Sequence, residues 1–229
     1  MLSKSGSVAT VTLNRPNVIN AFNVQMRDDL YAALEAVRDD SEVKAVLITG
    51  AGDRGFCAGA DLTEFGTAPS QTIARQVRWE RDLWGLFLSI SKPLVAALHG
   101  YIIGSGVEIA CLCDIRIAAD NAVFRMPESA SQTLPRTIGV TASMEILLTN
   151  DVISASRALE IGLVHKLVSR DSLDASAADA ADDLASLPSD SIAAVKRAVL
   201  EGMDFDLERG LDLELRLARI LMRRQPVGK

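Results

Sequence analysis

The stretch Lys92–Asp114, KPLVAALHGYIIGSGVEIACLCD, constrains the fold more than any other part of the chain. It begins as a continuous apolar run, and helix-forming residues at helical spacing follow Gly104-Ser105-Gly106. The pattern predicts a buried strand, a tight turn and a helix. Such a turn builds sites: its glycines let the main chain approach a ligand closely, and the first amides of the helix can donate to an oxygen that is gaining negative charge. Glu108 falls in the first turn of that helix. A carboxylate there either complements the helix dipole or acts as a general acid or base beside an oxyanion-binding turn. A lone glycine turn leaves both readings open.

Composition narrows the class. With 229 residues, 48% hydrophobic and 24% charged, the chain can bury a sizeable core. A net charge of −6 and a pI near 5.0 argue against a nucleic-acid or anionic-membrane partner. Three cysteines, two of them in Cys111-Leu112-Cys113, fit small buried thiols of a reducing compartment, not a disulfide framework. No CxxC occurs, and the two histidines, His99 and His165, lie far apart, so no metal is expected. The segment MLSKSGSVATVTLNRP lacks the apolar core of a signal peptide, and a soluble cytoplasmic protein is expected.

Alternation from Ser7 to Leu13 predicts a strand that ends at Asn14-Arg15-Pro16-Asn17. Asn23 is placed to cap a helix running to Asp39, with Met26, Leu30, Ala33, Leu34 and Val37 as its apolar stripe. Val43 to Thr49 reads as a buried strand of a mainly parallel sheet. The following GAGDRGFCAGADL, Gly50 to Leu62, is either a surface turn or a backbone laid against a ligand; apolar Phe56-Cys57-Ala58 in its middle favours the second. A helix is expected over Gln71–Ser89, a strand over Ile115–Ala119, a mostly helical stretch over Thr137–Asn150 and a short helix from Ser154. A final strand should follow Gly162, with helices at 172–187, 190–202 and 206–223.

Five segments in order, LNRPNVINAF, FCAGADL, KPLVAALHGYIIGSGVEIACLCDIRIAA, FRMPE and SMEILLTNDVISASRALEIGLVHKLV, resemble the enoyl-CoA hydratase/isomerase family, the crotonase superfamily. The resemblance implies an α/β fold, a crotonase-like spiral of repeated strand-strand-helix units over residues 1–170, and a C-terminal helical trimerisation and lid region over 171–229. It further implies an acyl-CoA thioester substrate, no cofactor beyond the coenzyme A of the substrate, and a homotrimer or dimer of trimers. Carried over by position, the oxyanion hole is the main-chain N–H of Ala60 and of Ser105. Glu108 and Glu128 are the two carboxyls that add water across the double bond. Val18, Ala58, Asp61, Leu62, Gly104 and Pro127 border the coenzyme A chain and the thioester.

Two departures from the family pattern stand out. Asn17 occupies a position where many members carry lysine, so Arg15 or a basic C-terminal residue would have to make that phosphate contact. After Glu128 only Ser129-Ala130-Ser131 precede Gln132, about nine residues fewer than the family usually has, which would open the acyl pocket to water. Hydration of 2-enoyl-CoA thioesters is therefore set against two alternatives, isomerisation by the same carboxylates and an impaired, acyl-CoA-binding member. A serine hydrolase built on Ser105 and His99 lacks the nucleophile-elbow context.

Overall fold

The computed structural model describes residues 1–64, 70, 80–127 and 132–224. Among these its larger sheet has six strands, in the order 2–5, 8–13, 45–50, 94–98, 115–119 and 166–168. The expected strands are β2 (Val8–Leu13), β3 (Ala45–Gly50), β4 (Leu94–Leu98), β6 (Ile115–Ala119) and β9 (Lys166–Val168), joined in parallel. The antiparallel edge strand β1 (Leu2–Ser5) is an addition, exposed along its length and without the apolar alternation that would betray it.

β4 is apolar throughout because both of its faces are covered. Leu94, Ala96 and Leu98 turn toward one core with Leu30, Leu34 and Val37 of helix α1 (Val24–Asp39). Val95 and Ala97 turn toward a second, where Leu173, Ala177, Ala181 and Ala185 line one stripe of the helix Leu173–Ser186. As expected, the Asn23 side chain caps α1, accepting the Met26 N–H at 2.9 Å.

A smaller sheet holds β5 (Tyr101–Ile103), β7 (Val123–Arg125) and β8 (Ile153–Ser154), and bridges from Cys57 to Ile102 and from Phe22 to Ala60 extend its pattern. Each turn of the chain thus gives a strand to the large sheet, a short extended piece to the second layer, and then a helix. β4, β5 and α3 (Ser105–Leu112) form one such unit. The sequence read β4 and β5 as one run, since both are apolar; the chain turns between them at Gly100, whose φ is +53°.

The helix expected over Gln71–Ser89 is not continuous. Residues 71–79 lie outside the described residues, and Arg81-Asp82 interrupts the rest because the Asp82 carboxylate accepts the Gly85 N–H at 3.0 Å and starts a new helix, α2 (Leu83–Ser89). Likewise the stretch Thr137–Asn150 contains a break at Gly139, φ +80°, between α4 (Thr133–Ile138) and α5 (Val140–Thr149). α6 (Ala155–Glu160), α7 (Leu173–Ser186), α8 (Ser189–Gly202) and α9 (Leu207–Arg224) follow, the last three within one residue of the expected bounds. Among the described residues no helix is long and apolar enough to cross a membrane.

α8 meets the rest of the molecule through charge. The Lys196 ammonium, its side chain only 9% exposed, donates to Asp114 at 2.9 Å and to the Lys92 carbonyl at 3.1 Å. Asp114 also accepts the Leu94 N–H at 2.7 Å, so one carboxylate ties α8 to the start of β4. Lys196→Met should leave that carboxylate half-buried without its cation and cost about 1.5–3 kcal/mol. A urea midpoint equal to that of the parent would show that the contact does not anchor the helix.

Burial holds both histidines below their ordinary pKa of 6.5, and Arg116 acts in the same direction on His165. His165 Nδ1 accepts the Arg116 N–H at 3.1 Å, which needs an unprotonated nitrogen, whereas His99 Nε2, 2.8 Å from the Gly52 carbonyl, gains from a contact that favours the charged form and is outweighed by burial. A depressed pKa in the folded state means that the unfolded chain binds more protons, so this stability is complete above pH 6.5 and is lost as pH falls through the folded values. Asp40 and Asp61 titrate below their ordinary 3.8 and stay out of that window. The urea midpoint should therefore fall between about pH 7 and pH 5, and the fall should shrink in His165→Gln. A flat profile would contradict it.

Candidate active site

Two segments meet at the end of the large sheet where β4 turns into β5. Cys57 N–H donates to the Tyr101 carbonyl at 3.1 Å, and Ile103 N–H donates back to the Cys57 carbonyl at 2.9 Å. The approach continues one step on: a Cβ at Gly106 would lie 2.6 Å from the Cys57 carbonyl oxygen, inside contact distance, so only glycine fits. Gly59 (φ +89°) and Gly104 (φ +50°) both take backbone that favours glycine, and an added Cβ on Gly104 would stand 3.8 Å from the Gly59 Cα. Each is followed at once by a candidate donor, Ala60 and Ser105.

The Ala60 amide is left open by the pairing itself. Phe22 donates to the Gly59 carbonyl at 2.7 Å and accepts from Asp61 at 2.9 Å, using both neighbours of Ala60 in a parallel bridge. Ala60's own N–H then points to the other side. Ser105 opens α3, where the first amides have no intrahelical acceptor, and Glu108 N–H makes the first turn's bond to the Gly104 carbonyl at 3.1 Å. Among the described residues, no main-chain carbonyl accepts from Ala60 or Ser105. The Glu108 side chain stands in that first turn, half-buried.

The far end of α3 is fixed by a buried cation. Arg116 donates to the carbonyls of Ala110, at 3.2 Å, and Cys113 at the end of the helix, and to Leu163 at 2.7 Å. A positive charge at a helix C-terminus is favourable, and three carbonyls offset its burial. The sequence marked Arg116 only as the one charge in a strand.

The remaining candidates sort themselves around this centre. Gly104 is buried, and its N–H donates to the Arg125 carbonyl at 3.0 Å, which places the end of β7 beside the turn; Pro127, two residues further on, is half-buried. Glu128 lies outside the described residues. Ala58 is half-buried, with its N–H on the Ile19 carbonyl at 2.9 Å. Val18 and Leu62 stand on the outside, 45% and 78% exposed.

The Asp61 carboxylate is committed to structure, accepting the Thr63 hydroxyl at 2.7 Å and Arg15 at 2.9 Å, and these contacts hold it below the usual carboxylate pKa. The Arg15 guanidinium, the candidate for the phosphate contact, is held through one nitrogen by Asp61 at 2.9 Å and by the Ala21 carbonyl at 2.6 Å. The cation beside Asn17 is Arg54, 3.5 Å from the Asn17 carbonyl and exposed; its place in a glycine-rich loop was the available signal.

His99 is 1% exposed and turned onto Gly52, and burial pushes the thiols of Cys57 and Cys113 up to about 11 and about 12. The half-buried Cys111 thiol is raised by burial as well.

Comparison with known proteins shows the family and the fold. Residues 3–226 match the family model described as enoyl-CoA hydratase/isomerase. The (E)-benzylidenesuccinyl-CoA hydratase of Thauera aromatica is 36% identical over 221 residues, 92% of this chain and 85% of that protein. The crotonyl-CoA hydratase of Syntrophomonas wolfei is 34% identical over 223 residues, 93% of this chain and 86% of the relative. Among solved structures, enoyl-CoA hydratase from Bacillus anthracis superposes with a TM-score of 0.91 at 29% identity, covering 98% of this chain and 91% of its own. With its alternating two-layer spiral and a family match along nearly its whole length, the chain belongs to the enoyl-CoA hydratase/isomerase family and has the crotonase-like fold.

Proposed function

We propose that the chain hydrates 2-enoyl-CoA thioesters to 3-hydroxyacyl-CoA. One observation carries the reading: the open amides of Ala60 and Ser105 follow two glycines in contact, with Glu108 in the first turn of the helix that Ser105 begins. A thioester oxygen between two such donors is stabilised as negative charge accumulates on it, and each donor in comparable sites contributes about 2.7–4 kcal/mol to the transition state.

Glu108 takes a proton from water as the water oxygen bonds to the β-carbon. The electron pair of the double bond moves into the thioester enolate, and Glu128 delivers a proton to the α-carbon. Glu128 follows Pro127 directly and is three residues from Arg125, whose carbonyl holds the Gly104 amide. The hydratases of Thauera aromatica and Syntrophomonas wolfei named above support addition of water over migration of the double bond.

The same reading includes assembly. Val195, Val199, Leu207, Leu211, Leu215 and Ile220 leave apolar side chains exposed on α8 and α9. This supports a homotrimer or dimer of trimers in which residues 171–229 serve as trimerisation and lid region.

Purified protein should consume crotonyl-CoA, seen as loss of the conjugated thioester absorbance, with 3-hydroxybutyryl-CoA as product. Glu108→Gln should lower kcat by about 10²–10⁴ and leave crotonyl-CoA affinity largely intact. Undiminished turnover in that variant would remove Glu108 from the mechanism, and a product with a migrated double bond would replace hydration by isomerisation.

A further inference from the structure

Asn20 is fully buried and polar, and no part of the proposed chemistry uses it. It and Ile19 before it both take positive φ, 54° and 52°, in backbone that non-glycine residues and above all β-branched ones avoid. Such a pair persists only where its surroundings hold it. Here the Asn20 amide group is engaged on both sides: Oδ1 accepts the Arg15 N–H at 2.8 Å, and Nδ2 donates to the carbonyls of Ala51 at 2.9 Å and Gly55 at 3.0 Å. One side chain therefore joins the loop after β2 to the loop after β3. The residues on either side of it grip the segment that carries the first oxyanion donor, through Ile19 to Ala58 at 2.9 Å and through Phe22 to Gly59 and Asp61 at 2.7 Å and 2.9 Å.

From this arrangement we infer that Asn20 is a positioning residue for the Ala60 amide, setting its direction through the strained Ile19–Phe22 turn. The inference rests on the assignment of Ala60 to the oxyanion hole made above. Asn20 touches neither substrate nor reacting atoms. Its effect is confined to the state in which charge sits on the thioester oxygen, since a misaimed donor loses most where the charge is greatest. A side chain that only stabilised the fold would lower the melting temperature and leave the chemistry of the folded fraction unchanged.

Asn20→Gly separates the two roles, because glycine accepts the positive φ and removes only the clamp. Asn20→Asp keeps the shape and the acceptor but sets an anionic oxygen against two carbonyls. Both variants should lose kcat for crotonyl-CoA on the order of 10²-fold, while the dissociation constant of butyryl-CoA, which has no conjugated double bond to receive charge, stays close to that of the parent. A kcat near the parental value in folded Asn20→Gly would overturn the proposal, as would equal losses in kcat and butyryl-CoA affinity.

Amide hydrogen exchange of the parent protein supplies a test that needs neither a folded variant nor turnover. The Ala58 and Asp61 amides should be protected like those of β2 and β3, and the Ala60 amide should gain protection only when butyryl-CoA is added. Ala58 and Asp61 amides that exchange like those of an untethered loop would refute the clamp. Protection of both in a protein that fails to hydrate crotonyl-CoA would sustain the clamp and overturn only the hydratase reading.

Discussion

The contact between residues 55–60 and 100–106 is the constraint on which the site depends. It is main chain against main chain: Cys57 is paired on both sides with Tyr101 and Ile103, and the Cys57 carbonyl leaves no room for a side chain at Gly106. Hydrogen bonds of this kind have narrow geometry, so they fix the separation of two backbones more tightly than side-chain packing does. The amides of Ala60 and Ser105 inherit that separation. A backbone donor depends little on the side chain beside it, so serine at 105 leaves its amide as available as glycine would.

Around this contact the molecule places charge where the backbone leaves partial charges unmet. Arg116 takes the carbonyls at the end of α3, Lys92 reaches those of Val37 and Asp40 at the end of α1, and Lys196 pairs with the carboxylate that accepts the first amide of β4. Each of the three cations meets main-chain oxygens, whose partial charges offset the loss of water. The helix bearing Glu108 is thereby held at its far end by a buried charge, while its near end stays open to a ligand.

The parts of the fold that were legible in the sequence are those in which a local pattern has one physical explanation. The stripe Met26-Leu30-Leu34-Val37 with Asn23 before it could be little other than a capped helix, and the uniformly apolar VAAL of β4 needed cover on both faces. Apolar runs do not announce corners, so β4 and β5 read as one strand. Polar helix starts can hide inside a longer helical pattern, as Asp82 did. Arg15 illustrates the limit for the site: the sequence shows a cation within LNRP, and only the structure shows that it pairs with Asp61, far along the chain.

By itself the sequence determined the longer strands and helices and the resemblance that named the family, because these depend on periodicity, turn residues and short motifs. Tertiary structure decided which backbone segments meet, that Asn20 and Arg116 are held in place by carbonyls from other elements, and that Arg54 stands beside Asn17. The reason is physical. Hydrogen bonds and ion pairs between residues distant in sequence leave no periodic trace in either partner, and they exist only once the two layers have closed on each other.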